Sequence, residues 1–249
     1  MIIKVLSYNI RFGGRGRETE LAKVIRDASP NLVVFQEAIH PEVIERLAKN
    51  TELPIWAARR QHSIGYITNL NVVHHEWHYP AGAKHSFMEI VLAGSEARIF
   101  GLHLSARFSK WSERRRAGEM RALLKSIERH QEGFHILVGD FNTLAPGELL
   151  DVRRMPSWIR ALVWLSGRDI QRETIGVVRQ ANYADAYRTL HPEVKGYTFP
   201  VWDPHLRLDY FFLPVRFTER MVSCEVVTQP AIVTRASDHF PLLAHVDLP

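Results

Sequence analysis

The chain has 249 residues, 46% hydrophobic and 24% charged, with a formal charge of +5 and a pI near 9.5. This is the balance of a folded globular protein rather than a fibrous or disordered one, and the excess of cations favours an anionic partner without naming it. A lone cysteine, Cys224, excludes an internal disulfide, no apolar run is long enough to span a bilayer, and no signal peptide is read before the first strand-like run, so the expected location is cytoplasmic.

Ile2 to Ile10 reads as a buried strand, broken by Gly13, Gly14 and Gly16. Glu18 to Ala28 has helical spacing, with Leu21, Val24 and Ile25 on one face, and Ser29-Pro30-Asn31 stops it. Leu32 to Phe35 is a short strand. Pro41 opens a helix through Lys49, because proline suits the first turn. Between Ile55 and Leu104 come β-rich runs at Ile64 to Thr68, Val72 to His78, Phe87 to Leu92 and Arg98 to Leu104, a block that predicts an antiparallel meander. Glu113 to Arg129 is a helix carrying Met120, Leu123, Leu124 and Ile127 at helical spacing, and Phe134 to Val138 is a buried strand. The stretch Leu144 to Ala181 is rich in Arg and Trp, poor in strand signal, and reads as a partly helical insert. Strands resume at Leu208 to Leu213, Val222 to Thr228 and Leu242 to Val246. No repeat, linker or low-complexity tract interrupts the chain, which predicts one domain over residues 1–249, with two packed sheets and helices outside.

Polar residues recur where strands end. Asn9 lies near the end of the first strand and Glu37 follows the second; His103 sits in Gly101-Leu102-His103-Leu104. Asp140 and Asn142 follow a strand in Gly139-Asp140-Phe141-Asn142, Asp209 stands in Arg207-Leu208-Asp209-Tyr210, and Asp238 and His239 precede the last strand. Each has a bland alternative: an Asx turn for Asp140 and Asn142, a first-turn acid for Glu37, a satisfied core histidine for His103, a turn cap for Asp238. Turn chemistry does not explain six such placements, whereas a site built on a rigid scaffold does.

The set resembles the endonuclease/exonuclease/phosphatase superfamily, whose motifs stand here in order as Ser7-Tyr8-Asn9-Ile10, Phe35-Gln36-Glu37, His103-Leu104, Gly139-Asp140-Phe141-Asn142, Arg207-Leu208-Asp209-Tyr210 and Ser237-Asp238-His239. The resemblance implies an α/β fold of the DNase I-like kind: a four-layer sandwich of two mixed, largely antiparallel sheets, helices on both outer sides, and the site at one mouth between the sheets. It implies hydrolysis of a phosphoester by water with Mg²⁺, or Mn²⁺ in its place. Glu37 would be the principal metal ligand, with Asn9 and Asp238 in or beside the shell, since Mg²⁺ takes oxygen donors and keeps several waters. His239 would contact the phosphate or take a proton from the attacking water, with Asp209 orienting it. Asp140 is the other candidate base. Asn142 would hydrogen-bond a phosphate oxygen, and His103 would assist the leaving group or the oxyanion.

Three basic clusters follow site residues: Arg11, Arg15 and Arg17; Arg107, Lys110, Arg114, Arg115 and Arg116; Arg153, Arg154 and Arg160. They read either as a positive rim that draws in a polyanion or as solvated loops. Arg11, Arg107 and Trp202 are the expected substrate contacts. The run Pro156 to Leu165, with Trp158, Leu162 and Leu165 on one side if helical, reads as a packing helix, a lid, a base-stacking surface or an interfacial helix on lipid. The functional expectation is therefore a phosphodiesterase or nuclease on a polyanion such as nucleic acid. The alternatives are a phospholipid or inositol-phosphate esterase, and a binding protein that has lost catalysis, although no core position is broken. No obligate protein partner is implied.

Overall fold

Val5 and Leu6 are neighbours in sequence and both fully buried, yet each packs into a different core, because successive side chains on a strand point to opposite faces. A strand apolar on both faces must be covered on both sides, and here a second sheet covers one face and helices the other. The computed structural model describes residues 1–106, 109–148, 151–154, 157, 160–161, 164 and 172–249. Its strands are β1 (Ile2–Asn9), β2 (Leu32–Gln36), β3 (Ile55–Ala57), β4 (Ile64–Thr68), β5 (Val72–His78), β6 (Phe87–Leu92), β7 (Arg98–His103), β8 (His135–Asp140), β9 (Tyr183–Asp185), β10 (Asp209–Pro214), β11 (Met221–Val226) and β12 (Leu242–Asp247). The helices are α1 (Glu18–Ala28), α2 (Pro41–Asn50), α3 (Lys110–Ser126), α4 (Glu173–Gln180), α5 (Ala186–Leu190) and α6 (Val233–Ala236).

Two six-stranded sheets form, in the orders β11-β12-β1-β2-β4-β3 and β5-β6-β7-β8-β10-β9. Each has one parallel pair near its centre, β1 with β2 and β7 with β8, and is otherwise antiparallel. Their inner faces meet through Val5, Val34, Ile64, Ile90, Ile136 and Phe211. The outer face of the first sheet packs Val33 and Phe35 on Leu21 and Val24 of α1 and Ile44 and Leu47 of α2. The outer face of the second packs Phe100, Leu102 and Leu137 on Met120 and Leu123 of α3 and on Ile175 and Val178 of α4. The result is the expected four-layer α/β/β/α sandwich.

One expectation changes. The Ile55 to Leu104 block is not a single meander: β3 and β4 complete the first sheet, and β5, β6 and β7 begin the second. A strand's hydrophobic pattern reports which faces are covered, not which sheet it joins. Helix α3 also starts three residues earlier than predicted, because the Ser109 hydroxyl accepts the Ser112 N–H at 3.1 Å and caps it.

The topology selects one end of the sandwich. The C-terminal ends of β1, β2, β7 and β8 lie beside the N-terminal ends of their antiparallel neighbours β12, β4, β6 and β10. Gly139 allows β7 and β8 to run close just before this mouth: its φ is +146°, and a Cβ there would stand 1.9 Å from the Leu102 carbonyl oxygen.

Candidate active site

Asn9, the last residue of β1, joins the two sheets. Its Nδ2 donates to Asp140 Oδ2 at 3.1 Å and reaches Glu37 Oε1 at 3.4 Å, while its Oδ1 accepts the Arg11 N–H at 2.9 Å. Glu37 follows β2 in the left-handed region, at φ +59°. Its backbone N–H donates to Ser63 Oγ at 3.3 Å and its Oε2 accepts the Phe12 N–H. These bonds hold a conformation that a non-glycine residue adopts at a cost of about 1–3 kcal/mol.

Asp140 ends β8 and is 1% exposed. Its Oδ1 accepts the Asn142 backbone N–H at 2.8 Å, and its Oδ2 accepts both the Asn9 amide and the Asn142 amide at 3.1 Å. Asp209, the first residue of β10, lies directly across from it in register. Thr198 Oγ1 accepts the backbone N–H groups of Leu208 at 3.1 Å and Asp209 at 3.4 Å, fixing the start of that strand. Asp209 Oδ2 is 2.8 Å from His239 Nδ1. The Nδ1–H is therefore the donor, and Nε2 turns towards Asp140 Oδ2, 3.9 Å away. Asp140, Asp209 and His239 are all buried, with one oxygen or nitrogen from each inside 4.8 Å of the others. His103 ends β7 with Nε2 3.7 Å from the same Asp140 oxygen.

The electrostatics of this cluster follow from burial and from crowding of like charges. Burial opposes a charge on His239, but Asp209, Asp140 and Asp238 together outweigh it, so the imidazole is held protonated well above its ordinary range. Burial raises Asp140, and Asp209 adds to this, while His239 and the Asn142 and Asn9 hydrogen bonds oppose it; the net direction is up. Burial, with His85, His239 and Lys84, holds His103 down to about 3, so that ring is neutral.

Other expected residues fall in different places. Asp238 faces Arg11, its Oδ2 3.4 Å from the guanidinium Nε. Trp202 is exposed, 6.2 Å from the Phe199 ring, which itself lies 4.7 Å from His239. Arg107 and most of the Pro156 to Leu165 run, Trp158, Leu162 and Leu165 included, lie outside the described residues. Both amide hydrogens of Asn142 are engaged, by Asp140 and by the Leu104 carbonyl at 3.1 Å, so this side chain orients Asp140 rather than standing free for phosphate.

The basic clusters are less of a rim than their sequence suggests. Arg17 donates to the carbonyls of Ile10 and Ala236, Arg15 pairs with Glu42, and Arg154 pairs with Asp203. Arg116 is buried, bonded to Glu113 at 2.8 Å and to the Ser105 carbonyl. That glutamate also accepts the Thr143 hydroxyl at 2.7 Å and the Thr174 N–H at 2.8 Å, tying α3 to the loop after β8.

Sequence reasoning assigned no role to Ser63, whose Oγ bonds His103 Nδ1, or to His85, stacked on His103 at 5.8 Å. Both precede strands antiparallel to β2 and β7, so only the strand directions could have placed them. Ser237 was within a quoted motif without a role; its hydroxyl donates to the Asn9 carbonyl at 2.6 Å and holds the His239 loop against β1.

The donor set suits a hard divalent cation. Glu37, Asp140, Asp209 and Asp238 bring four carboxylates, against which Arg11 and a protonated His239 set two positive charges. The excess of acidic over basic groups at this partly buried mouth is what an oxygen-liganded dication offsets. The Asn9 amide links Glu37 to Asp140, which lies in a buried cluster with Asp209 and His239.

A search of curated protein sequences gives no match. Among solved structures, the 3′ phosphatase NExo from Neisseria, determined with a product DNA hairpin, superposes with TM-score 0.73 at 16% identity, covering 98% of this chain and 99% of that one. An AP endonuclease from Archaeoglobus fulgidus superposes with TM-score 0.74 at 15% identity, covering 98% and 99%. A humanized D. rerio TDP2 superposes with TM-score 0.68 at 16% identity, covering 99% of each chain. At such identities the likeness is one of fold. The sequence profile of the Endonuclease/Exonuclease/phosphatase family matches residues 6–239, nearly the whole chain and every strand end described above, and the chain belongs to that family.

Proposed function

We propose that this protein is a metal-dependent phosphodiesterase or nuclease, using Mg²⁺, with Mn²⁺ as a substitute, on a polyanionic substrate such as nucleic acid. The observation that carries the reading is the buried Asp209–His239 pair turned towards Asp140, with Glu37 linked to the same aspartate through Asn9. Glu37 would hold the cation, with Asn9 and Asp238 in or beside the shell; once bound, it would neutralise charge building on the phosphate.

The roles of the protein groups follow from their protonation. His239, kept cationic by Asp209, presents Nε2–H to a non-bridging phosphate oxygen. Asp140, a carboxylate weakened as an acid by burial, is the base that takes a proton from the attacking water. Asn142 and Asn9 hold both Asp140 oxygens in place for that transfer. Neutral His103 offers a hydrogen bond to the oxyanion without titrating. Positioning and charge stabilisation supply most of the rate enhancement in such a reaction. Exposed Arg11, Phe12 and Trp202 line the approach as candidate contacts for phosphate and base.

Support for nucleic acid as substrate comes from the Neisseria phosphatase bound to a DNA hairpin and from the archaeal AP endonuclease. The test is a panel of duplex DNA, abasic DNA, RNA, phospholipid vesicles and inositol phosphates with Mg²⁺, run on wild type, His239→Ala and Glu37→Ala. Nucleic-acid cleavage that weakens with rising salt and disappears in both variants is expected. Hydrolysis that requires vesicles transfers the reading to a lipid esterase. Absence of hydrolysis across the panel defeats the enzymatic reading.

A further inference from the structure

His74, Glu76 and His78 alternate along β5, so all three project from the outer face of the second sheet. Trp77, between them, points inward, buried, with its indole N–H on the Ile64 carbonyl at 3.0 Å. The strand register sets Glu76 opposite Glu89 of β6. Among the described residues, His74, Glu76 and Glu89 each bring a ligand-type atom within 4.8 Å of the others. His78 lies beside this group: its Nε2 is 2.8 Å from Glu89 Oε2 and 3.9 Å from Glu76 Oε2. His74 Nε2 lies 3.5 Å from that same Glu76 oxygen. None of these residues belongs to the mouth.

The arrangement meets the geometric demand of a metal centre. With bonds of ~2.0–2.1 Å, tetrahedral N and O ligands of Zn²⁺ sit about 3.3 Å from one another; the His74–Glu76, His78–Glu76 and His78–Glu89 separations bracket that figure, and the His74, Glu76 and Glu89 atoms lie within 4.8 Å of one another, so a small side-chain adjustment would close the set. Glu89 is anchored, 2% exposed, with its other oxygen bonded to Arg98. Stacking on Phe87 at 4.8 Å fixes the His78 ring. The His74 and Glu76 side chains are half exposed, which leaves an entry path. Two imidazoles with two carboxylates suit a zinc-type ion better than Mg²⁺ or Ca²⁺, which take oxygen ligands. A bridge between β5 and β6 would also hold the edge strand of the sheet in register.

We propose that His74, Glu76, His78 and Glu89 form a second metal site, selective for a transition-metal dication of the zinc class and separate from the mouth. Equilibrium dialysis of the full chain against Zn²⁺, with Mg²⁺ in excess, tests it on wild type, Glu37→Ala, the double variant His74→Ala/His78→Ala, and Glu76→Gln. Wild type and Glu37→Ala should bind Zn²⁺ equally. The double variant and Glu76→Gln should bind at least about tenfold more weakly, with unchanged circular dichroism, and Zn²⁺ should raise the Tm of wild type but not of the double variant. Equal binding by the double variant overturns the site, as does no binding by wild type. Binding lost in Glu37→Ala alone places the zinc at the mouth instead, and also overturns it.

Discussion

Replacing Asp209 with Asn removes one negative charge from the His239 ring and little else. The shape is preserved, and the Thr198 hydroxyl still holds the backbone at this position. The lost attraction is large because both groups are nearly fully buried, 7% and 1% exposed, with 2.8 Å between Nδ1 and the carboxylate. At an effective dielectric of ~20, charges centred ~4 Å apart attract by about 4 kcal/mol, which is about three pK units. Burial, already pulling His239 towards neutrality, then faces only Asp140 and Asp238. The raised imidazole is charged below its folded pKa and loses its proton as pH climbs through it. In Asp209→Asn that loss moves to lower pH, by up to about three units. If charged His239 stabilises the transition state, kcat/KM should fall only severalfold near neutrality but by roughly 10²–10⁴-fold at alkaline pH, where wild type keeps the charge and the variant has lost it, and the alkaline limb of the profile should move acidward. The assay is steady-state hydrolysis of a chromogenic phosphodiester at saturating Mg²⁺ from acidic to alkaline pH. An alkaline limb that stays put, with rates within about threefold of wild type, would refute the pairing.

Glu37→Ala should raise the Mg²⁺ concentration for half-maximal rate by about tenfold or more while the Tm changes little, since the lost contacts lie at the mouth; the check is a Mg²⁺ titration beside thermal melts. Tyr8→Phe should be neutral or stabilising by up to ~1–2 kcal/mol, because the Tyr8 hydroxyl is buried without a hydrogen-bond partner among the described residues; a loss above ~1 kcal/mol by denaturant titration counts against this. Burial raises Glu89, but hydrogen bonds from His78 and Arg98 overcome it and hold the acid down to about 2. Its contribution is therefore present above its ordinary value of 4.5 and lost as pH falls towards 2, so wild type, melted with a chelator present, should lose Tm more steeply over that window than Glu89→Gln. Gly101→Ala should destabilise by about 1–3 kcal/mol, because the new Cβ would lie 2.7 Å from Val34 Cγ1 in the facing sheet; a double-mutant cycle with Val34→Ala should recover much of the loss.

Much of the scaffold was legible because the signals were local. The buried strands ending at Asn9, Gln36, His103 and Asp140 read as apolar runs followed by a polar residue, α1 read from its 3.6-residue period and α2 from the proline at its first turn. Short or non-local features did not read. The three-residue strands β3 and β9 are too brief to carry a period. In Glu113-Arg114-Arg115-Arg116, four successive charges look like a solvated helix face, yet Glu113 and Arg116 turn inward as a buried i,i+3 pair. Arg207 behaves alike: within a quoted motif it had no role, and it proves to be fully buried on Asp185 and Glu148. Pairing decides these cases, since a charged side chain enters a core only with its counter-ion, and the sequence does not show who the counter-ion is. The same holds for Ser63 and His85, which reach His103 only because β4 and β6 run opposite to their neighbours.

The division of the site between two sheets explains why its chemistry and its surroundings differ in character. Asn9 and Glu37 stand on the first sheet, and His103, Asp140 and Asp209 on the second, while Ser237 ties the His239 loop back to β1. The 3.1 Å bond from Asn9 to Asp140 therefore crosses the sandwich, whose sheets also approach closely where Val34 and Ile64 face Gly101. Close-packed cores resist small displacements, so the reacting groups inherit their precision from the apolar contacts below them. The rim is built on the opposite principle. Phe12 and Trp202 stand exposed outside the strands, where changes of length and composition leave the sheets undisturbed. On the proposed function, catalytic geometry rests on the sheets and substrate contacts on the loops, so loop exchange should alter which phosphoester is cut before it alters how the bond is broken.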